Sequence, residues 1–200
     1  MSLLLSSILW SIVVPLRDDL AFGVTFAVLF QEVFRYLFYR LLRKAEAGLQ
    51  KVSEVGASGV ITPLNRLSLA YVAGLGFGIM SGAFSLVNVL ADAYGPGTVG
   101  IKGDPSDFFV VSAFTTLAFV LLHTFWGVIF FQSMDRSQYI KASYVVLSHF
   151  AVSYVTLTNR GHLYAVSITV VYVFMVVSGL LAFVSAGGTF KKQPPTPVVL

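Results

Sequence analysis

Five apolar runs, each long enough to cross a lipid bilayer as a helix, fix what this chain can become. They lie at 21–42, 66–92, 108–131, 139–157 and 163–186. A hydrocarbon core takes about 20 residues at a helical rise of about 1.5 Å. Backbone groups in lipid must be satisfied within the segment, so runs of this kind fold as helices. A sixth run, residues 1–15, is apolar but short, and a partial or marginal span is expected there. Only 11% of the residues are charged, against about 25% in a soluble domain, so a soluble core is excluded. The expected fold class is all-α, a polytopic transmembrane helix bundle forming one domain over 1–200. It has five full spans, one short N-terminal span and a tail at 189–200 whose prolines exclude helix.

Few chemistries survive the composition. The chain has no cysteine, which removes disulfides, thiolate nucleophiles and thiolate metal sites. The net charge of +4 resides in basic residues beside the spans and carries no nucleic-acid signal. No basic region precedes the first apolar run and no A-x-A site follows it, so no cleaved signal peptide is expected.

The connections set the orientation. A tight polar turn, L-R-D-D-L, occupies 16–20. Residues 45–65 are polar, with Gly48, Gly56, Gly59 and Pro63 as breakers, although Arg40 to Val52 is helix-compatible and is expected to lie in the interface. Short loops are expected at 132–138 and 158–162, and Gly187 and Gly188 close the last span. Arg40, Arg43, Lys44, Lys51, Arg66, Arg136, Lys141, Lys191 and Lys192 fall on one side, and only Arg17, Lys102 and Arg160 on the other. Basic loops stay in the cytosol, which places the 40–66 loop, the 132–138 loop and the C-terminus there. The Gly/Pro-rich loop at 94–107, with Gly95, Pro96 and Gly97 at its start, then faces the lumen.

The span over 66–92 carries Gly74, Gly78 and Gly82 at every fourth position, continued by Ala70 and Ser85. On a helix these form a stripe without Cβ bulk, against which another backbone can approach closely. Each glycine costs roughly 1 kcal/mol against alanine in a soluble helix, so three in register indicate a docking surface. The stripe does not reveal whether its partner belongs to this chain or to another. Asn88 and Asp92 lie one turn apart at the end of the same helix, where Asp92 and the G-P-G turn cap it.

Polar groups inside spans are costly and mark interior positions. Glu32 and Arg35 sit three apart on one helix face and can pair with each other. His123 and His149 lie on consecutive spans, each roughly 15 Å from the connecting loop at the helical rise. Antiparallel packing therefore lets them meet at one depth. They serve as a polar tie between helices or as acid–base groups; further ligands for a metal are lacking. Ser81 lies in I-M-S-G rather than the G-x-S-G of intramembrane serine proteases. No second buried aspartate is present for aspartyl chemistry, and H-E-x-x-H is absent. By its own residues the chain makes a poor enzyme. A small secondary transporter with a midplane site at Glu32, His123 and His149 is the alternative.

The segments Q-E-V-F-R (31–35), Y-V-A-G-L-G-F-G-I-M-S-G (71–82), V-N-V-L-A-D (87–92), G-P-G (95–97), L-L-H-T-F-W-G-V-I-F-F (121–131) and A-G-G (186–188) resemble the anterior pharynx-defective family, the scaffold subunit of γ-secretase. The resemblance runs through nearly the whole chain in order. It implies a seven-span subunit with a luminal N-terminus and a cytosolic C-terminus, without cofactor or metal. The implied partners are presenilin, nicastrin and presenilin enhancer, and the implied role is non-catalytic, since the catalytic aspartates belong to presenilin. It implies processing of type I membrane proteins such as Notch and amyloid precursor protein, in the endoplasmic reticulum, Golgi, endosomes and plasma membrane. Gly74, Gly78 and Gly82 match the family's assembly motif. His123 and His149 match its paired intramembrane histidines, near which presenilin's C-terminal segment docks in a cavity. Family members carry a first span and a fuller second span ahead of S-L-L-L, so residues 1–15 are expected to be the later part of the second.

Overall fold

The computed structural model describes residues 2–13, 19–54, 63–93 and 107–190. Six helices follow in order: α1 (Ser2–Ile12), α2 (Leu20–Glu54), α3 (Pro63–Ala93), α4 (Phe108–Asp135), α5 (Tyr139–Val155) and α6 (Tyr164–Ser185). A 3₁₀ turn, Thr156–Gly161, joins α5 to α6, and no strand occurs among the described residues. Five of these segments are long and apolar enough to cross a membrane, at Leu20–Gly48, Arg66–Val87, Phe108–Asp135, Tyr139–Gly161 and Tyr164–Ser185. The 11 residues of α1 reach only about 16 Å at the helical rise, well short of the hydrocarbon thickness. The loop with Gly95, Pro96 and Gly97 lies outside the described residues. The α3 backbone is helical past Asn88 and Asp92, but their side chains also lie outside them.

α2 runs unbroken to Glu54, so the stretch from Arg40 to Val52 is helical, as its sequence allows. One boundary differs from the sequence expectation, because a helix need not stop where the hydrocarbon does. α4 continues to Asp135, through most of the expected 132–138 loop. It closes on Ser137, whose φ of 55° lets the Gln138 amide donate to Ser133 O at 2.8 Å. α6 closes in the same way on Gly187, at φ +96°, with Gly188 N donating to Phe183 O at 2.9 Å. Both are the paired C-terminal bonds that satisfy a helix's last carbonyls.

α4 is the central element, packed by α3, α5 and α6, while α2 lies against α1 and α5. Leu122, Trp126, Ile129 and Phe131 of α4 are buried, with Val145 and Val152 of α5 and Val171 of α6 beside them. Large apolar side chains also cover the outside, among them Ile140, Leu147, Val173, Val176 and Leu180. Lipid is as apolar as leucine, so hydrophobicity does not sort residues between inside and outside here; polarity does. Ser133, Ser148, Ser167 and Ser178 are accordingly buried. Their hydroxyls bond locally or across helices, as Ser178 Oγ does with Tyr144 OH at 3.0 Å.

The α3–α4 seam is the tightest contact. A Cβ on Gly74 would lie 2.7 Å from Thr124 O, and one on Gly78 would lie 2.5 Å from Val120 O. At Gly82 it would meet Val120 Cγ2 at 2.8 Å. α4 answers with its own glycine: a Cβ on Gly127 would lie 2.6 Å from Gly74 Cα. Ser85 Oγ donates to Gly82 O at 3.0 Å and lies 3.3 Å from Thr116 Oγ1 across the seam. The stripe is thus occupied by a helix of the same chain.

Candidate functional site

Four intramembrane polar residues from three helices converge. Glu32 and Arg35 come from adjacent turns of α2, His123 from α4 and His149 from α5; all four are buried. Arg35 Nη2 donates to Glu32 Oε1 at 3.0 Å, and Nε reaches both carboxylate oxygens at 3.3 and 3.2 Å. The same Glu32 Oε1 takes His149 Nδ1 at 2.6 Å. Arg35 Nη2 also faces His123 Nδ1 at 3.0 Å.

These partners assign the tautomers. Guanidinium has no acceptor, so His123 Nδ1 accepts and the ring hydrogen sits on Nε2. An ionised carboxylate has no donor, so His149 Nδ1 carries a hydrogen. The single negative charge of Glu32 and the single positive charge of Arg35 cancel within the cluster. Such a buried pair persists only when its remaining hydrogen-bonding capacity is filled. The histidines fill it.

Aromatic rings complete the cage. His123 and His149 stand perpendicular with centroids 4.9 Å apart. Trp126 lies 4.7 Å from His149 and 5.3 Å from His123. The guanidinium carbon of Arg35 sits 5.1 Å from the Phe77 ring and 5.9 Å from Trp126, within cation–π range. Phe77 belongs to α3, so the cluster ties four helices at one depth.

The sequence places the histidines at a shared depth and pairs Glu32 with Arg35. The structure brings these two features into one site, and adds Trp126 and Phe77. Their signal, an aromatic one turn from an intramembrane histidine or glycine, is too common in spans to stand out.

The two histidines of the cluster line a cavity of about 720 Å³, whose lining also includes Ser6, Gln31, Ser81, Ser153 and Asn159. Phe108, Thr156 and Arg160 line it as well, at the end of the bundle where α4 begins and α5 finishes. Gln31 is 7% exposed, and its Oε1 has no hydrogen-bond partner among the described residues. A buried acceptor without a partner is costly, and this one sits on a residue that lines the cavity.

A second polar knot lies at the opposite end. Asp135 takes Arg43 Nε at 2.8 Å and Nη2 at 2.5 Å, and its Oδ1 accepts from Tyr39 OH at 2.9 Å. Arg43 Nη1 donates to Glu46 at 2.9 Å, and Arg66 Nε to the other Glu46 oxygen at 2.5 Å. This knot joins α2, α3 and α4 beyond the apolar part of α2.

A bundle of long apolar helices with a charged, internally paired centre defines a multi-pass membrane protein. The model of the family described as Aph-1 protein matches residues 1–189. The chain is 53% identical to the γ-secretase subunit Aph-1 of Drosophila melanogaster over 192 residues, covering 96% of this chain and 79% of that one. It is 46% identical to subunit Aph-1b of Danio rerio and 42% to subunit APH-1B of Homo sapiens, in each case over 96% of this chain and 75% of the relative. The chain belongs to the Aph-1 family.

Proposed function

We propose that this protein is the non-catalytic scaffold subunit of a γ-secretase complex, holding presenilin together with nicastrin and presenilin enhancer. The names of its relatives, γ-secretase subunits, support the complex. The observation that carries the scaffold reading is the cavity lined by His123 and His149, which the buried Glu32–Arg35 pair holds in place from behind, with Gln31 also in its lining. We assign this cavity to presenilin's C-terminal segment and proteolysis of type I membrane proteins, Notch and amyloid precursor protein among them, to presenilin. The glycine stripe acts indirectly: Gly74, Gly78 and Gly82 fix α3 on α4, and that pair builds one wall of the cavity. The basic loops set the C-terminus in the cytosol and the cavity mouth in the lumen. The complex travels from the endoplasmic reticulum through the Golgi to endosomes and plasma membrane.

Filling the cavity tests the assignment without touching the seam. Ser153→Phe places bulk at the wall between the histidines and the mouth. In cells lacking the endogenous subunit, the variant is expected to insert and remain folded but to co-purify at least tenfold less presenilin. Undiminished presenilin recovery from a folded Ser153→Phe protein would reject the cavity as the docking site.

A further inference from the structure

The cytosolic extension of α2 carries a charge separation that the subunit reading does not use. Between Arg40 and Lys51 the sequence is R-L-L-R-K-A-E-A-G-L-Q-K, with a single acid, Glu46. Helical geometry puts Arg40, Lys44 and Lys51 within about 40° of one another around the axis. All three are exposed. Arg43 and Glu46 project from another face. Glu46 is 3% exposed and is engaged by both Arg43 and Arg66, while Asp135 is engaged by Arg43. Glu46 and Asp135 are therefore engaged inside the bundle; Glu54, three residues past Lys51, is the other acid near the stripe, and its side chain lies outside the described residues. Among the described residues neither Lys44 nor Lys51 meets a carboxylate. Arg40 is steadied by Tyr36, whose hydroxyl accepts from Nη1 at 2.9 Å, and this leaves its charge intact. The outer side of the extension is open: a Cβ on Gly48 would meet nothing within 4 Å.

We propose that Arg40, Lys44 and Lys51 form a binding face for the headgroup of a polyphosphorylated inositol lipid in the adjoining leaflet. The stripe begins at the last apolar turn of the span and rises about 16 Å along the helix. Phosphatidylserine offers a carboxylate near the level of its own phosphate and meets only the lowest part of such a stripe. An inositol ring bearing extra phosphates stands out from the bilayer and presents several negative groups along it. Basic residues beside a membrane strengthen binding to anionic lipid by roughly fivefold each.

The test uses the full chain in phosphatidylcholine nanodiscs, which offer both leaflets and so need no assumption about orientation. Nanodiscs are doped with phosphatidylinositol bisphosphate or with phosphatidylserine, and lipid adducts are read by native mass spectrometry. Bisphosphate adducts are expected to exceed phosphatidylserine adducts. They are expected to fall roughly tenfold or more in the Arg40→Gln/Lys44→Gln/Lys51→Gln variant. If that variant does not fold, Lys44→Gln/Lys51→Gln is expected to show the loss at smaller amplitude. Equal adducts from the two lipids, or adducts unchanged in the folded variants, would overturn the proposal. Equal binding of soluble inositol trisphosphate would overturn its assignment to a lipid. Presenilin recovery is read separately, so failure here leaves the subunit reading standing.

Discussion

His149 Nδ1 lies 2.6 Å from Glu32 Oε1, a contact that fastens α5 to α2 across 117 positions of sequence. Glu32 is also the carboxylate that neutralises Arg35. One side chain therefore serves two tasks, balancing a buried guanidinium and fixing the ring orientation of a histidine. Removing it strands both partners.

That dependence gives the first prediction. Glu32→Leu leaves Arg35 buried and uncompensated, which costs about 3–5 kcal/mol. Glu32→Leu/Arg35→Met removes both charges, keeps the volume and is expected to recover most of the loss. Thermal unfolding of the two proteins in the same detergent checks this. A double variant no more stable than the single would mean that the pair's charge balance is not what the fold depends on.

The seam supplies a contrast within one helix. Gly78→Ala puts a methyl 2.5 Å from Val120 O, whereas Gly76→Ala meets nothing within 4 Å. The first is expected to lower stability by about 1–3 kcal/mol as α3 and α4 are forced apart. The second is expected to be neutral or to raise it by up to about 1 kcal/mol, through helix propensity. Equal melting temperatures for the two alanine variants would contradict the seam.

At the far knot, Arg43 and Asp135 are bidentate and mostly buried. A double-mutant cycle with Arg43→Gln and Asp135→Asn is expected to give a coupling energy of about 0.5–3 kcal/mol, the range for residues sharing one network. Coupling near zero would show the two contributing independently.

Ser137 adopts φ 55°, a conformation that costs an L-residue roughly 1–2 kcal/mol. Ser137→Gly should relieve about 1 kcal/mol of it, and Ser137→Val should worsen it. Differential scanning fluorimetry of the three proteins checks the order.

The spans were readable because lipid admits little besides helix, and about twenty apolar residues define one. The shared depth of His123 and His149 was readable too, since a short connection makes the helical rise a ruler. Their meeting with Glu32 and Arg35 was not. α2 is joined to α4 only through α3 and two long connections, so chain order gives no distance between them. The glycine stripe announced close approach but not its partner, since a bare backbone accepts any helix; here it is α4, through Val120, Thr124 and Gly127. That α2 could stay helical past Arg40 was readable, and the structure carries the helix to Glu54; what holds it there was not, because hydropathy reports only where lipid ends. It is held by Arg43, Glu46, Arg66 and Asp135, contacts between segments far apart in sequence.

The central claim is that the buried polar cluster shapes the surface presenilin grips, beyond merely stabilising the fold. The most direct measurement compares presenilin co-purification by His149→Ala with that by Asp135→Asn, at matched loss of thermal stability. His149→Ala is expected to lose most of its presenilin while Asp135→Asn keeps it. Equal recovery by the two variants would contradict the claim, because the cluster would then act through stability alone.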